Sequence, residues 1–356
     1  MKSIIFIHLF NDRSGSPKVL SQSISALRKY GFNTELLTSS HTDGFLTNVA
    51  DKQHVLFYRR SENKIITLLY YLISQTLLFF QCLRYWNKDV VFYVNTMMPF
   101  GAALAGQLLG KKVYWHIHET SIRPKLLKQF LRFMIHLTAD KIIFVSKYLQ
   151  DNESFHNKNQ IVIYNAIEAQ SHNFAKMHHD EFHILMICSL KKYKGIFEFI
   201  EVANILSSHS NVYFTLVLNA EHSEIDNYFK EMTIPSNMTI YPRQQNVNQF
   251  YAQADLLLNL SRPNEWIETF GLTILEGMVY GLPVIVPPVG GPAEIIREGL
   301  EGFLISSYDV NAIAEKILYL SDQTTEYARL SINALQRVHD FNEQIFGQKI
   351  IKVFEE

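Results

Sequence analysis

Short apolar runs alternate with helix-like patterns along the chain, and this alternation constrains the fold more than any other feature. The first run, SIIFIHLF (3–10), precedes a helical pattern that Gly31 stops, and a second series begins at FHILMICSL (182–190). Nearly continuous apolar strands separated by helices are typical of a parallel sheet covered on both faces. We therefore predict an α/β protein with two Rossmann-like, doubly wound domains in series.

One interruption of this alternation sets the domain boundaries. The polar stretch EAQSHNFAKMHHD between Ile167 and Glu181 lacks periodicity, and we interpret it as a linker. The 356 residues exceed the ~100–200 residues of one ordinary domain. The predicted domains are 1–168 and 180–340, with a C-terminal helix at about 341–356 that packs back on the first. Ligands of such sheets bind at the carboxyl ends of the strands, so a cleft between two facing domains is the expected site.

The composition describes a globular protein and excludes some classes of partner. Apolar residues make up 47% and charged residues 19%, and the formal net charge of -1 gives no indication of nucleic-acid binding. Cys82 and Cys188 lie far apart without His or Cys neighbours at ligand spacing. We expect them to be reduced, in an intracellular protein without a secretory signal.

Two glutamates separated by seven residues, Glu268 and Glu276, lie in the passage 264–296. The preceding strand ends near 261 and a helix is expected to begin near 269–271, which would place Glu276 about two turns inside it, roughly 11 Å along the axis. Unpaired helix-start amides bind anions. Such a layout suits a ligand with two polyol ends and a diphosphate between them, but a solvated surface glutamate explains it equally. The amides concerned belong to Gly271, Leu272 and Thr273.

This passage resembles the signature of glycosyltransferase family 4, the retaining nucleotide-sugar transferases whose GT-B fold has two Rossmann-like domains facing across a cleft. The resemblance rests on the two spaced glutamates and on GMVYGLPVIVPPVGGPAEII, and it continues through REGLEGFLI. It covers the whole second half of the chain. The first half carries individually common features in the expected order, namely Gly15, His118 with Glu119, Ser146 with Lys147, and Asn165.

The resemblance implies roles for the residues of the second half. Glu276 would accept hydrogen bonds from the ribose, and Glu268 would accept them from the donor sugar. Lys194 would bind phosphate and offset charge on the leaving nucleoside diphosphate. The diphosphate oxygens would be held by the amides of Gly271, Leu272 and Thr273.

In the first half, the resemblance makes His118 a contact of the donor sugar and Asn165 a donor-binding residue. His116 lies two residues earlier on the same strand and so on the same face. We favour His118 as the functional one because it lies nearer the carboxyl end of the strand. Glu119 is interpreted as a base or acceptor ligand, or else as a surface acid. Gly15 would let the backbone approach the ligand, or would merely form a tight turn.

One departure from the family pattern concerns the phosphate site. The family usually has an arginine five residues before the lysine that Lys194 matches, and this chain has Ser189 there. A fixed positive charge is therefore missing from the leaving-group site. The candidates to replace it are Lys191 or Lys192 first, followed by Arg243 or Arg262.

No metal site is predicted, because the sequence contains no Asp-x-Asp. Cationic side chains and helix-end amides can do the electrostatic work of a metal, so we expect no metal and no other cofactor. The interpretation is a metal-independent retaining glycosyltransferase that moves a sugar from a nucleoside-diphosphate sugar to a saccharide or lipid-linked saccharide in polysaccharide biosynthesis. The rivals are a non-catalytic sugar-nucleotide binding or scaffold protein and an epimerase of the same fold.

Two helical stretches bear on membrane contact. The apolar run 65–83 fits a helix buried against a sheet, an interfacial helix or a membrane span. The run 121–137 predicts an amphipathic helix that suits an anionic membrane surface or packs on the sheet with its charges in water. These runs suggest an acceptor on a polyprenyl-type lipid and a cytoplasmic protein in peripheral contact with the inner face of the plasma membrane. The basic flank of the second helix comprises Arg123, Lys125, Lys128 and Arg132.

Overall fold

Two parallel sheets contain all thirteen strands of the described residues, which are 3–40, 44–168 and 181–355 of this computed structural model. Contacts divide the chain into two compact units. Unit 1 comprises Met1–Ala166 with Glu343–Glu356, and unit 2 comprises Ile167–Asn342. Most of the predicted linker, residues 169–180, lies outside the described residues.

Unit 1 contains a seven-stranded sheet in which every pairing is parallel. The strand order is β3-β2-β1-β4-β5-β6-β7, so the direction of winding reverses between β1 and β4. In such sheets ligands bind at the carboxyl ends of the strands that flank the reversal. The strands are β1 Ser3–Ile7, β2 Asn33–Thr38, β3 Lys52–Val55, β4 Val90–Asn95, β5 Lys112–Ile117, β6 Lys141–Phe144 and β7 Asn159–Val162.

Five helices connect these strands. The first ends where the sequence predicts, because Gly31 takes a left-handed conformation with φ 105° and donates its N–H to the carbonyl of Arg28. The helices are α1 Gly15–Tyr30, α2 Lys64–Cys82, α3 Phe100–Leu108, α4 Lys125–Thr138 and α5 Lys147–Glu153.

Helix α2 is not the buried core helix that one interpretation of its sequence proposed. With the turn that follows it, Lys64–Tyr85 is long and apolar enough to cross a membrane by length and composition alone. Only 28% of the apolar 18-residue stretch of this helix is buried. The interpretation as a helix buried against the sheet is therefore wrong for most of its length.

Unit 2 repeats the architecture with six parallel strands in the order β10-β9-β8-β11-β12-β13. The winding here reverses between β8 and β11. The strands are β8 Phe182–Cys188, β9 Val212–Leu218, β10 Met238–Tyr241, β11 Leu256–Leu258, β12 Val284–Val286 and β13 Gly302–Leu304.

Seven α-helices surround the second sheet, and its core lies between the strands and helices that include α6 and α11. Phe199 of α6 meets Phe214 of β9 edge to face, with ring centroids 5.4 Å apart. The helices are α6 Ile196–Ile205, α7 His222–Phe229, α8 Asn248–Gln253, α9 Leu272–Met278, α10 Pro292–Ile295, α11 Val310–Asp322 and α12 Thr324–Val338.

The last helix, α13 (Glu343–Glu355), belongs to unit 1, where it contacts α1. Gln22 donates from Nε2 to Oε1 of Glu343 over 2.8 Å, and the ring of Phe354 stacks on that of Tyr93. Both sheets have the predicted doubly wound form. The fold class predicted from the alternation of apolar runs and helices is thus confirmed.

Candidate functional site

The reversal of winding in unit 2 brings two predicted site residues together. Lys194 follows β8 and Glu268 follows β11, and the ammonium of Lys194 donates to Oε2 of Glu268 in an ion pair. The two side chains are only 18% and 21% exposed. Burial opposes the charge of Lys194, but the carboxylate and hydrogen bond of Glu268 outweigh it and raise the pKa of the ammonium. Lys194 is therefore a charged cation, and Glu268 is its partner.

The Gly-Gly step of the sequence signature holds the backbone that carries Glu268. Gly291 donates its N–H to the carbonyl of Glu268 over 2.9 Å. Gly290 has φ 79°, and a Cβ built on it would lie 2.4 Å from the same carbonyl oxygen. Only glycine permits this approach without displacement. The loop after β12 thus fixes the position of Glu268.

The loop that carries Lys194 is tied to the segment after β11. Gly195 has φ 81°, and a Cβ on it would lie 2.1 Å from the carbonyl oxygen of Leu260. Arg262 donates its backbone N–H to the carbonyl of Tyr193, whose ring stacks on Trp266 with centroids 4.9 Å apart. These contacts join the two loops, which explains why Lys194 and Glu268 meet.

Helix α9 begins at Leu272, directly after Gly271, whose φ of 106° is in the left-handed region. Its first amides, which include those of Leu272 and Thr273, have no intrahelical acceptor. Glu276 is the fifth residue of α9, one turn inside the helix rather than the two turns predicted, because the segment before Gly271 is not helical. Tyr251 donates its hydroxyl to Oε2 of Glu276 over 2.9 Å, which orients that carboxylate.

The structure separates the candidates for the missing arginine charge. Arg262 is buried and pairs with Glu198 at 2.7 Å and Glu265 at 2.8 Å. Breaking a buried pair costs about 3–5 kcal/mol, so the suggestion that Arg262 swings into the phosphate site is wrong. Arg243 forms an exposed pair with Glu221 at 2.9 Å, and such pairs contribute only about 0–1 kcal/mol.

Lys191 and Lys192 precede Lys194 in the same loop, and both are exposed. No ion pair involves either lysine within residues 3–40, 44–168 and 181–355. The backbone N–H of Lys191 donates to the carbonyl of Ser189 over 2.7 Å, so the loop turns back where the family arginine would stand. These two lysines keep their predicted place ahead of the arginines.

In unit 1, the reversal of winding assembles a polar cluster around Asn95, the last residue of β4. Its Oδ1 lies 2.9 Å from Nε2 of His118, which follows β5. Its Nδ2 lies 3.0 Å from Nδ1 of His8, which follows β1, and 3.2 Å from the carbonyl oxygen of Ser16. The predicted site residue His118 is thus held at the carboxyl ends of the central strands.

This network determines which nitrogen of each histidine carries a proton. The carbonyl oxygen of Ser16 can only accept, so the atom of Asn95 that faces it must be the amide nitrogen. Oδ1 of Asn95 therefore accepts from Nε2–H of His118, which leaves Nδ1 of His118 unprotonated. Burial first, and then the neighbouring His116 and His8, hold the pKa of His118 well below its ordinary value. His118 is a neutral hydrogen-bond acceptor at Nδ1.

His116 is fully buried, and its Nδ1 lies 2.7 Å from the hydroxyl of Tyr93. Burial lowers the pKa of His116 to about 3. Its ring lies 4.3 Å from that of His118, centroid to centroid. The structure thus gives His116 the place of a core histidine and leaves His118 nearer the strand end.

Glu119 is a partly buried acid, not a surface one. Its Oε2 accepts weak hydrogen bonds from the backbone N–H groups of Met97 and His118, both at 3.3 Å. Burial outweighs these bonds and raises the pKa of Glu119 to about 7. The carboxyl therefore changes its charge near neutral pH.

We expect Glu119→Gln to flatten the dependence of stability on pH. The folded state keeps the Glu119 proton up to about pH 7, whereas the unfolded chain loses it near the ordinary value of 4.5. The stability that Glu119 contributes is therefore fully present below pH 4.5 and is lost as pH rises to about 7. Urea unfolding between pH 5 and 8 should show the variant gaining on the wild type with rising pH. Parallel curves would contradict this assignment.

Gly15 and Asn165, the two other predicted site residues of unit 1, lie outside the cluster around Asn95. Gly15 is the first residue of α1 and does not have a positive φ. Asn165 follows β7 and is buried, and its Oδ1 has no hydrogen-bond partner among the described residues. A buried amide oxygen without a partner is costly, which is consistent with a group that a ligand could satisfy.

Three residues of the site were not predicted from the sequence, namely Asn95, His8 and Tyr251. A signal existed for the first two, since each is a polar residue in an apolar run that predicts a central strand. Tyr251 gave no such signal, because it lies 25 residues from Glu276 in the chain and only the fold brings the two side chains together. Within the described ranges, no group of three or more His, Cys, Asp or Glu side chains is arranged to hold a metal ion.

Two solved structures share this fold at low sequence identity. Anabaena HepE in complex with UDP and glucose superposes with a TM-score of 0.81 at 18% identity, over 100% of both chains. Staphylococcus aureus TarM, in a variant complex with fondaparinux, alpha-GlcNAc-glycerol and UDP, gives a TM-score of 0.76 at 15% identity, again over 100% of both chains.

Curated relatives match most of the chain. It is 26% identical over 291 residues to the N-acetyl-alpha-D-glucosaminyl L-malate synthase of Bacillus anthracis, covering 76% of this chain and 74% of that protein. It is also 26% identical over 292 residues to an uncharacterized 41.2 kDa protein in the cps region of Klebsiella pneumoniae, covering 74% and 76%.

Two family models divide the chain between them. The Glycosyltransferase Family 4 model matches residues 13–171, and the Glycosyl transferases group 1 model matches residues 168–337. The first match covers β2 to β7 with His116 and His118, and the second covers the sheet with Lys194 and Glu268. The chain belongs to glycosyltransferase family 4, and it is a glycosyltransferase with the GT-B fold.

Proposed function

We propose that this protein transfers a sugar from a nucleoside diphosphate to a saccharide acceptor, with retention of anomeric configuration and without a metal ion. The observation that carries the proposal is the Lys194–Glu268 pair at the switch point of unit 2. A cation that binds phosphate and a carboxylate that binds hydroxyls are the two groups a sugar diphosphate requires. HepE, which shares the fold, has been solved with UDP-glucose, and this supports UDP as the nucleotide.

The Lys194–Glu268 pair suits a ligand that binds between the two side chains and contacts both. A diphosphate oxygen would take over the hydrogen bond of Lys194, and the carboxylate of Glu268 would then accept from sugar hydroxyls. The N–H groups at the start of α9 would hold other phosphate oxygens, and Glu276, oriented by Tyr251, would accept from the ribose. Each residue then keeps the role that the family resemblance implies.

Transfer breaks the bond between the anomeric carbon and the diphosphate oxygen. An acceptor hydroxyl oxygen forms the new bond on the same face, and its proton passes to the departing phosphate. Negative charge grows on the leaving diphosphate, and Lys194 with the α9 amides would stabilise it. Lys191 or Lys192 would supply a second positive charge, so the proposal assigns no step to a metal.

His118 has a different task in this proposal. A neutral imidazole with Nδ1 unprotonated can accept a hydrogen bond from a hydroxyl of the donor sugar. Asn95 fixes that state by accepting from Nε2–H. We assign the protein to polysaccharide biosynthesis in the cytoplasm, following the family resemblance.

Thermal unfolding with nucleotides tests the donor. At 100 times its dissociation constant, a ligand that binds only the folded state adds about 2.7 kcal/mol of stability. UDP should therefore raise the midpoint by several degrees, and by more than GDP or ADP. Glu276→Ala should lose most of the UDP shift while unfolding at a similar temperature without ligand. An equal shift with all three nucleotides, or none, would contradict the choice of UDP.

Turnover tests the remaining parts of the proposal. Transfer should continue in excess chelator, and NMR of the product should show the anomeric configuration of the donor. Loss of turnover on chelation would overturn the metal-free mechanism, and an inverted product would overturn retention.

A further inference from the structure

Helix α2 is turned with its polar side inward. The side chains that it buries are Tyr71, Ser74, Gln75, Leu78 and Cys82, while its other leucines, its isoleucines and Phe80 are partly or largely exposed. Gln75 accepts from the N–H of Gly101 in α3 over 3.1 Å, and the hydroxyl of Tyr71 donates to the carbonyl of Met98 over 2.6 Å. An ordinary surface helix buries its apolar face. This helix therefore presents to its surroundings the face that such a helix would hide.

The outward residues form one continuous stripe. They recur at intervals of three or four residues over about four turns, which makes the stripe about 22 Å long. Exposed apolar patches of this kind mark interaction sites. The stripe consists of Ile65, Ile66, Leu68, Leu69, Leu72, Ile73, Leu77 and Phe80.

Helix α4 has a second apolar stripe on its exposed side. Leu126, Phe130, Phe133 and Leu137 recur at helical spacing, and all four are exposed. Helix α3 lies between α2 and α4 and contacts both. The ring of its Phe100 meets Tyr71 of α2 at 5.9 Å and Phe130 of α4 at 5.0 Å, centroid to centroid. The two stripes therefore belong to one layer of helices on unit 1.

Cations outnumber acids around the stripes. Neither 63–88 nor 120–139 contains an aspartate or glutamate, and the exposed acids that flank the first range are Glu62 and Asp89. Of the predicted basic flank of α4, Lys128 and Arg132 pair with the buried carboxylate of Glu153 and so have a structural role. The exposed cations that remain are Arg59, Arg60, Lys64, Arg84, Lys88, Arg123 and Lys125.

We propose that the outward stripes of α2 and α4 form one surface that binds the interface of a lipid bilayer rich in anionic headgroups. Apolar side chains would enter the acyl boundary while the cations meet the headgroups. Trp86, exposed just beyond α2, suits the interfacial region. The inner side of α2 packs on α3, so the helix lies in the interface and does not span the bilayer. The excess of cations around the stripes complements anionic headgroups, which favours a bilayer over a partner protein.

The surface lies next to the histidine cluster along the chain. His118 and α4 are joined by the segment 119–124, and Lys128 of α4 donates to the carbonyl of Thr120 over 2.6 Å. If the proposed transferase function holds, this docking would bring a lipid-linked saccharide acceptor to unit 1. Docking itself does not depend on that function, so a binding assay separates the two.

Vesicle flotation of the full chain tests the surface. The wild type should float with vesicles of phosphatidylcholine and phosphatidylglycerol and float less with phosphatidylcholine alone. The double variant Leu72→Glu/Ile73→Glu should have an affinity for the anionic vesicles at least about tenfold lower than that of the wild type, because it places two charges in the acyl boundary. Its thermal midpoint should stay near that of the wild type, since both side chains are already exposed.

A matched control exists on unit 2. Ile332 and Leu335 of α12 are exposed by 55% and 42%, close to the 48% of Ile73 and 45% of Leu72. Ile332→Glu/Leu335→Glu should float like the wild type. The proposal is overturned if the wild type stays unbound at low salt, or if both double variants bind alike. It is equally overturned if the wild type forms a dimer that Leu72→Glu/Ile73→Glu dissociates, since the stripe is then an interface between copies.

Discussion

Replacing Lys194 with methionine is expected to lower kcat for sugar transfer by about 100- to 1,000-fold, the usual effect of removing one group that stabilises a developing anion. Lys194 is the charged partner of Glu268 at the switch point of unit 2, and methionine keeps most of its length and apolar stem. Because additional negative charge builds on the diphosphate as the bond breaks, kcat should fall, and because Lys194 also binds the diphosphate of the intact donor, kcat/KM should fall further. Steady-state kinetics with the preferred donor measure both.

Two other variants separate the role of Lys194 from a general loss of positive charge. Lys192→Met removes an exposed lysine from the same loop, one of the two proposed to replace the missing family arginine, and should lower kcat by less than Lys194→Met. Lys194→Arg should recover part of the activity that methionine loses. A normal kcat in Lys194→Met with unchanged thermal stability would show that the leaving group is stabilised elsewhere.

Sequence patterns were sufficient to predict the two sheets, because buried parallel strands must be apolar on both faces and are recognisable one at a time. Helix ends were predictable where one residue decides them, as at Gly31. The position of Glu276 within its helix was less predictable. Its place in α9 depends on where the helix begins, and Gly271 starts it later than the acidic spacing suggested.

The contact between Lys194 and Glu268 could not be predicted from spacing. They are 74 residues apart, and they meet because strand order places β8 beside β11. The resemblance identified each residue separately but gave them different ligands to bind. Asn95 was missed for a similar reason. Its importance comes from touching residues that follow β1 and β5, which only the assembled sheet brings together.

The orientation of α2 was also beyond the sequence. A helix that is apolar almost all round has no pattern to show which side faces the protein. The orientation of α2 is set by specific contacts with residues of α3. A Cβ on Gly101 would lie 2.1 Å from the carbonyl oxygen of Gln75, so that glycine lets the polar side of α2 approach.

Gly290→Ala is expected to lower kcat/KM for sugar transfer by about 100-fold, because a misplacement near 1 Å in a catalytic group has that effect. The new Cβ would lie 2.4 Å from the carbonyl oxygen of Glu268 and 2.7 Å from Cγ2 of Ile267. Backbone must move to relieve the first contact, and the backbone that moves carries Glu268. The Lys194–Glu268 pair would then be displaced from the donor it is proposed to bind.

Gly110→Ala is the matched control for this effect. Gly110 has φ 62°, comparable with the 79° of Gly290, but no atom lies within 4 Å of its built Cβ. Both variants should lose about 1–2 kcal/mol because alanine is disfavoured at positive φ, and Gly290→Ala should lose more because its Cβ also meets backbone. Only Gly290→Ala should also lose transfer activity and the thermal shift with UDP. If the two variants lose stability alike and both keep wild-type kcat/KM, the close packing of the Gly-Gly loop does not position Glu268 for catalysis. A selective loss in Gly290→Ala would instead tie the glycine pair of the signature to the carboxylate that precedes it by 22 residues in the chain.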